Sequence, residues 1–382
     1  MLMNAPPQIC NFCIMDTTDP DIRFHGDQGC NHCIHARDRL AHDRFPGADG
    51  ERRLQAIVEH IKKEGAGKRY DCIVGLSGGV DSSYVIYRAI QLGLRPLAVH
   101  VDNSWNSELA VNNIQQIIRT LGVDLVTIVI DWEEVRELQR ACFAAPIVDI
   151  EIISDHAIFA GVYRTAAEHG IKFILSGTNV ATESILPDAW AYDKRDKKHV
   201  MGVYRKYGSG KKLVTYPSLG PLKFLYYTLI KGIKFVPILN YGDYNKAQTI
   251  DTLKEKFGWR PYPNKHGEST FTRFFQDYYL PAKFGFDKRK AHLSSIICSN
   301  GITREAALAE MNKPLFRPDD LAVEKDFVLK KLGYNDAQWQ AIMDKPAIAH
   351  SDLPNNAWMF DHKKNPVTRA LRKFAKFESE DI

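Results

Sequence analysis

The stretch RYDCIVGLSGGVDSSYVIYRAIQLG, residues 69–93, decides the fold. An apolar run over 72–76 reads as a buried strand. It breaks at Ser77-Gly78-Gly79-Val80-Asp81-Ser82, and helical spacing begins directly afterwards. Two glycines let the backbone approach a ligand closely and take positive φ. The helix that follows aims its free N–H groups and the positive end of its dipole at the same point. The turn therefore reads as an anion site, with Ser77 and Ser82 as further donors. Asp81 beside an anion makes sense as a helix cap or as a magnesium ligand. The alternative is a glycine-rich turn with no ligand.

The flanking sequence repeats the pattern. Leu54, Ile57, Val58 and Ile61 give helical spacing that stops at Gly65. PLAVHVDN, DLVTIVID and KFILSG read as strands. SELAVNNIQQIIRTLG and SDHAIFAGVYRTAAEHG read as helices, the second capped by Ser154. Strands alternating with helices predict an α/β fold, a doubly wound and mainly parallel sheet. After Asn179 the regularity fades: 192–212 is basic and loop-like, and 243–382 is mostly helical. Three units are expected: a zinc ribbon over 1–50, a nucleotide domain over 51–240, and a helical C-terminal region over 241–382 for substrate or partner.

With 382 residues, 45% hydrophobic and 25% charged, the chain has the composition of a globular protein larger than one typical domain. Its net charge of +5 permits anionic ligands and does not require nucleic acid, so none is expected. The N-terminus lacks a basic-then-apolar leader pattern. The apolar run over 224–241 is interrupted by Lys231, Lys234 and Pro237, too early for a membrane span. Buried packing is its expected role, contact with a membrane surface the alternative. A cytoplasmic location follows, with oligomeric state left open. Four of seven cysteines form two pairs, Cys10/Cys13 and Cys30/Cys33, spaced C-x₂-C, sixteen residues, C-x₂-C. That spacing predicts a closed four-thiolate zinc site of structural role, with free thiols or an iron–sulfur cluster as alternatives. Cys72 reads as core, and Cys142 and Cys298 stand alone, Cys142 after a predicted helix.

The Walker pattern is absent, and GSGKK at 208–212 follows no strand. The turn over 77–82 instead resembles the PP-loop of the N-type ATP pyrophosphatases, which include GMP, NAD and asparagine synthetases and tRNA thiolation enzymes. The resemblance implies cleavage of ATP between its α and β phosphates, adenylation of a substrate oxygen, and displacement of AMP by nitrogen or sulfur. In such folds ligands sit at the carboxyl ends of the strands. Asp102 and Asn103 would then face adenosine, and Gly177, Thr178 and Asn179 the phosphates and the activated atom. For Asp102, a helix cap is the competing reading.

CNFCIMDTTDPDIRF, VDNSWNSELAVNNI, SGTNVATES and above all KHGESTFTRFFQDYYLPAKFGFDKRKAHLSS further resemble the N-acetyl sugar amidotransferases of bacterial surface-polysaccharide (O-antigen) biosynthesis, the WbpG type. The resemblance implies conversion of the acetamido group of a nucleotide-linked sugar, or a related sugar acid, to an acetamidino group. ATP, Mg²⁺ and structural Zn²⁺ would be required, and ammonia would come from separate glutaminase and cyclase-like subunits. It implies pyrophosphate binding by Ser77, Gly78, Gly79, Asp81 and Ser82, with Asp81 on magnesium. Asn179, Glu183 and Glu268 would serve the chemistry, and Lys265, His266 and Arg273 the sugar substrate. For Glu183 a helix cap partner, and for each of Lys265, His266, Glu268 and Arg273 a surface or helix-pairing role, are the alternatives. Phe271, Phe274, Phe275, Tyr278 and Tyr279 have core-like helical spacing. Two other functions remain open: a PP-loop tRNA thiolase using Cys142 or Cys298, and a scaffold that binds ATP without chemistry.

Overall fold

The computed structural model describes residues 7–262 and 267–360. α1 (Asn31–Asp43) and α2 (Gly47–Glu64) lead into β1 (Cys72–Gly75), α3 (Val80–Gln91), β2 (Pro96–Asp102), α4 (Glu108–Leu121) and β3 (Leu125–Val129). α5 (Trp132–Ala144) and α6 (Ile152–Glu168) return the chain to β4 (Phe173–Ser176). α7 (Val180–Glu183), α8 (Lys197–Tyr207) and α9 (Pro221–Leu225) precede β5 (Lys234–Pro237). The remainder is helical: α10 (Lys246–Phe257), α11 (Thr270–Phe274) running into a π-helix (Phe275–Phe284), α12 (Arg289–Cys298), α13 (Arg304–Met311), α14 (Pro318–Leu332) and α15 (Asp336–Asp344).

Local chemistry sets the helix ends. Ser107 caps α4 by accepting from the Ala110 amide, and Gly122 closes it in the left-handed region at φ 63°. Asn245 caps α10, and Gly258 ends it at φ 60°. Asn335 and Gln338 form a reciprocal capping box on α15.

The five strands form one parallel sheet in the order β3-β2-β1-β4-β5. The order reverses between β1 and β4, so the crevice at their carboxyl ends is the place where such a sheet takes a ligand. α2, α3, α4 and α10 cover one face through Leu54, Ile57, Val85, Ile86, Ile117 and Leu253. α6 covers the other, its Gly161 letting the helix lie against Val101 and Ile128. The doubly wound α/β architecture is the one expected, with the cysteines at its N-terminal side and helices at its C-terminal side.

Four local readings change. α8 occupies the middle of the supposed basic loop 192–212: its charges mask a buried stripe of His199, Val200, Val203 and Tyr204, and Asp196 caps it. The run over 224–241 contains β5, an edge strand hydrogen-bonded to β4. α6 starts at Ile152, so Ser154 lies in its first turn, where its hydroxyl accepts from Asn103 Nδ2 at 3.1 Å rather than capping the helix. Cys142 lies inside α5, not after it.

Gly50 on α2 shows how tightly the N-terminal helix is seated. A Cβ there would stand 1.7 Å from the Phe45 carbonyl oxygen and 2.5 Å from the Gly242 amide nitrogen, both backbone atoms. Gly50→Ala is expected to destabilise the fold by about 3 kcal/mol, the upper end of overpacking costs, read as a lowered midpoint in urea.

Candidate functional site

The turn after β1 is held in shape by its own hydroxyls and by residues from far along the chain. Ser82 Oγ accepts from the Ser77 amide at 3.2 Å and lies 3.1 Å from Ser77 Oγ, which accepts from the Gly79 amide at 3.3 Å. Gly78 has φ +85°, and a Cβ there would meet the Ala110 carbonyl oxygen at 2.8 Å, so glycine is required twice over. Its carbonyl accepts from Trp259 Nε1 at 3.0 Å and from Tyr262 Oη at 2.9 Å. Asn113 of α4 fixes that pair in turn, donating to the Arg260 carbonyl and to Tyr262 Oη. Burial pushes the Tyr262 phenol up to about 12, so it stays a donor. His100 on β2 donates from Nδ1 to the Leu76 carbonyl at 2.8 Å and receives Asn106 Nδ2 on its other nitrogen.

The sequence-predicted residues gather at this end of the sheet, with exceptions. Asp81, in the first turn of α3, accepts from the Tyr244 hydroxyl. Burial, together with the negative charges of Asp81 and Glu183, pushes the Tyr244 phenol well up. Gly177 lets the β4 end pack on α3, since a Cβ there would meet Asp81 Cβ at 2.9 Å and its backbone carbon at 3.0 Å. The Thr178 amide donates to Ser176 Oγ at 3.1 Å. Asn179 caps α7 through Oδ1, and its buried Nδ2 has no partner among the described residues. Glu268 reaches the same turn: its Oε1 stands 3.5 Å from the position of a Cβ on Gly79. Backbone pairing of Ser107 N to Glu268 O and of Thr270 N to Trp105 O holds it there.

Asp102 closes its own turn, accepting from the Ser104 amide at 2.8 Å and Asn106 Nδ2 at 3.1 Å, while the cap of α4 is Ser107. Asn103 ties that turn to α6. Arg273 departs from the expectation of substrate binding: its guanidinium is paired with buried Glu324 of α14, and Nε donates at 2.9 Å. Lys265 and His266 lie outside the described residues. The aromatic set packs as core, Phe271, Phe274, Phe275 and Tyr279 all at most 1% exposed.

Sequence reasoning missed His100, Tyr244, Trp259 and Tyr262, which sit in strand or loop and carry no motif. Gly258-Trp259-Arg260-Pro261-Tyr262 did hold a signal: large aromatics beside glycine and proline, with no periodicity to bury them. Glu151 was also missed. It stands at the start of α6, accepts from Gln276 at 3.0 Å, and burial pushes its carboxyl up to about 7 against Lys288 at 3.9 Å. α6 runs back to the start of β4, so its N-terminus lies at the ligand end of the sheet.

The four paired cysteines are fully buried, and their sulfurs lie within 4.8 Å of one another. Three edges measure 3.7, 3.8 and 3.9 Å. A tetrahedron of thiolates about 2.3 Å from a zinc ion has edges of about 3.8 Å. The donor set therefore fits zinc, with no side left for chemistry. The cluster is docked on the C-terminal helices: Arg304 of α13 donates to the carbonyls of Cys10 and Cys13, and Ser294 of α12 accepts from the Ile14 amide at 3.2 Å. Cys298 packs against Cys33 beside this cluster, and Cys142 is buried in the core, where desolvation pushes its thiol up.

Comparison with known proteins finds one family-model match, in the C-terminal region. Residues 268–365 match the family model of the LPS biosynthesis protein WbpG-like C-terminal domain. An uncharacterized protein of Methanocaldococcus jannaschii is 26% identical over 172 residues, 44% of this chain; the match spans 58% of the length of that curated relative. Among solved structures, an NMN synthetase from Francisella tularensis aligns at TM-score 0.34 with 14% identity, over 71% of this chain and 100% of that one. An NH₃-dependent NAD synthetase from Campylobacter jejuni, in complex with nitrate, aligns at TM-score 0.34 with 13% identity, over 78% of this chain and 99% of that one.

Two outcomes are expected. Stripping metal with a strong chelator should lower the melting temperature and raise amide exchange over 8–35 and 290–306 together, since the cluster and α12–α13 share hydrogen bonds; unchanged exchange at the second segment would separate them. Tyr244→Phe, which removes the hydroxyl that donates to Asp81, should lower the unfolding free energy by about 2 kcal/mol, read as a lowered midpoint in urea.

Proposed function

We propose that this chain, a parallel sheet with a PP-loop joined to a WbpG-like C-terminal domain, is an ATP-dependent amidotransferase acting on the acetamido group of a nucleotide-linked sugar. The observation that carries the reading is the position of Glu268. It is the first residue matched to the WbpG-like domain, and it stands over Gly79 of the phosphate turn. One cleft then serves both the nucleotide and whatever that domain recognises.

In this reading Ser77, Gly78, Gly79 and Ser82 hold the β and γ phosphates through backbone amides and hydroxyls, at a helix N-terminus that favours negative charge. The acetamido oxygen attacks the α phosphorus; that O–P bond forms as the bond to the β-bridging oxygen breaks, and pyrophosphate leaves. Ammonia then attacks the imidate carbon, AMP leaves with the former amide oxygen, and the nitrogen loses a proton to give the acetamidine. Glu268 accepts that proton. The orphan amide of Asn179 is a donor suited to orienting the acetamido oxygen, since a buried N–H without a partner is costly unless a ligand takes it. Asp81 and Glu183 would hold magnesium, which would neutralise phosphate charge. Zinc is the proposed resident of the cysteine cluster. Lys265 and His266 remain proposed contacts to the sugar nucleotide. Ammonia would come from separate glutaminase and cyclase-like subunits, and surface-glycan synthesis is the setting the family suggests.

Sulfur transfer finds no support, because it needs an accessible thiolate at the cleft, and Cys142 and Cys298 are both packed in the core. The deciding experiment incubates the protein with ATP, ammonium and acetamido sugar nucleotides. AMP, pyrophosphate and a sugar product in which oxygen is replaced by NH are expected. Glu268→Gln should cut turnover about a hundredfold while ATP still binds. ATP binding without pyrophosphate release for any such sugar would leave only a scaffold, and loss of activity in Cys142→Ala with its fold intact would point back to sulfur chemistry.

A further inference from the structure

Between Asp196 and Asp243 the sequence holds no Asp or Glu and nine Lys or Arg. The whole chain is only +5, so the rest of it is net negative and the positive charge is concentrated here. In the middle of this tract, α9 and a π-helical turn (Tyr226–Ile230) form one continuous helix over 221–230. Its inner side is used. Phe224 packs against Phe159 and Tyr163, with ring centroids 5.4 Å away in each case, and Tyr227 and Thr228 are each 5% exposed. Its outer side is equally apolar and is left uncovered among the described residues: Leu222 is 84% exposed, Ile230 73%, Tyr226 45% and Leu229 44%. Lys223 and Lys231 are exposed at the two ends of this face, their ammonium groups 5.6 and 5.9 Å from the ring centres of Tyr227 and Tyr226. The helix leads into β5, which starts opposite Phe173 at the amino end of the parallel sheet. The face therefore lies at the end of the molecule opposite the phosphate turn.

Protruding aliphatic side chains on a helix, framed by lysines, ask for an occupant. A second copy of this chain would bring two strongly cationic tracts together at a two-fold contact, where like charges repel. A nucleic acid would use the lysines but gains nothing from Leu222 and Ile230, since it binds through cations and stacked aromatics. An anionic bilayer surface matches both parts. Aliphatic tips enter the acyl boundary without needing a shaped pocket, and lysines meet the headgroups. Among the described residues no helix is long and apolar enough to cross a membrane, so the contact is one of lying on the surface. We propose that the outer face of the helix over 221–230 docks the protein on an anionic lipid surface, with Leu222 and Ile230 inserted and Lys223 and Lys231 on the headgroups. The cleft at the carboxyl ends of the strands then faces water. The proposal is independent of the chemistry performed there.

The test is co-sedimentation of the full chain with vesicles of phosphatidylcholine alone and of phosphatidylcholine mixed with phosphatidylglycerol. Binding to the mixed vesicles at low salt, weakened by added salt and absent with phosphatidylcholine alone, is expected. Lys223→Glu/Lys231→Glu should lower the bound fraction at least tenfold, and so should Leu222→Ser/Ile230→Ser, which leaves charge unchanged. Circular dichroism and the ATP reaction should be unaffected, because these side chains are exposed and lie at the end of the molecule opposite the cleft. Wild-type protein remaining in the supernatant at low salt, or either double variant binding as wild type does, overturns the proposal. So does a concentration-dependent dimer that Leu222→Ser/Ile230→Ser dissociates, which would make the face a subunit interface.

Discussion

The carbonyl oxygen of Gly78 is the point on which the cleft depends. In a left-handed glycine it turns back into the protein, where the indole of Trp259 and the phenol of Tyr262 both donate to it. Two donors on one buried carbonyl hold the peptide against rotation, and the shape of the turn from Ser77 to Ser82 follows from that. The donors lie about 180 residues further along the chain. The phosphate turn is thus local in sequence but not in what stabilises it.

The same segment carries the chain into the C-terminal domain. From Tyr262 it passes to Glu268 over Gly79, pairs with the exit of β2 at Ser107 and Trp105, and starts α11. α14 returns to that exit, where Lys331 donates to the Ser104 carbonyl and lies over the ring of Trp105 at 4.4 Å. The cysteine cluster braces the far side through Arg304 and Ser294. Neither terminal region is an appendage on the sheet. Each is tied by hydrogen bonds to buried backbone, and buried carbonyls left without partners would be costly.

Much of this was legible because the signals are short-range. The strands over 72–76, 96–102 and 125–129 are mainly apolar runs bounded by polar turns, and Gly122 and Ser107 punctuate the helix between the second and third. The paired cysteines could be read from spacing alone, since a two-residue gap places two sulfurs on one side of a tight turn. Where charge and core overlap in one segment, the reading failed. α8 hid behind Lys197, Lys198, Arg205 and Lys206, and β5 hid inside a run equally apolar on the sides that are buried and exposed. Arg273 looked like a substrate ligand because an arginine's partner is invisible until Glu324 is brought beside it.

The sequence by itself determined the alternation of strand and helix, the glycine turn with its acid and hydroxyls, and the four-thiolate set, because each is encoded within a few residues by backbone freedom, periodicity or ligand spacing. The tertiary structure alone decided which distant groups complete those elements: Trp259 and Tyr262 on Gly78, Tyr244 on Asp81, Glu268 over Gly79, and an apolar helix face left outside the core. Those choices arise from the packing of segments far apart in the chain, and a side chain's type states what it can bond, not what the fold sets beside it.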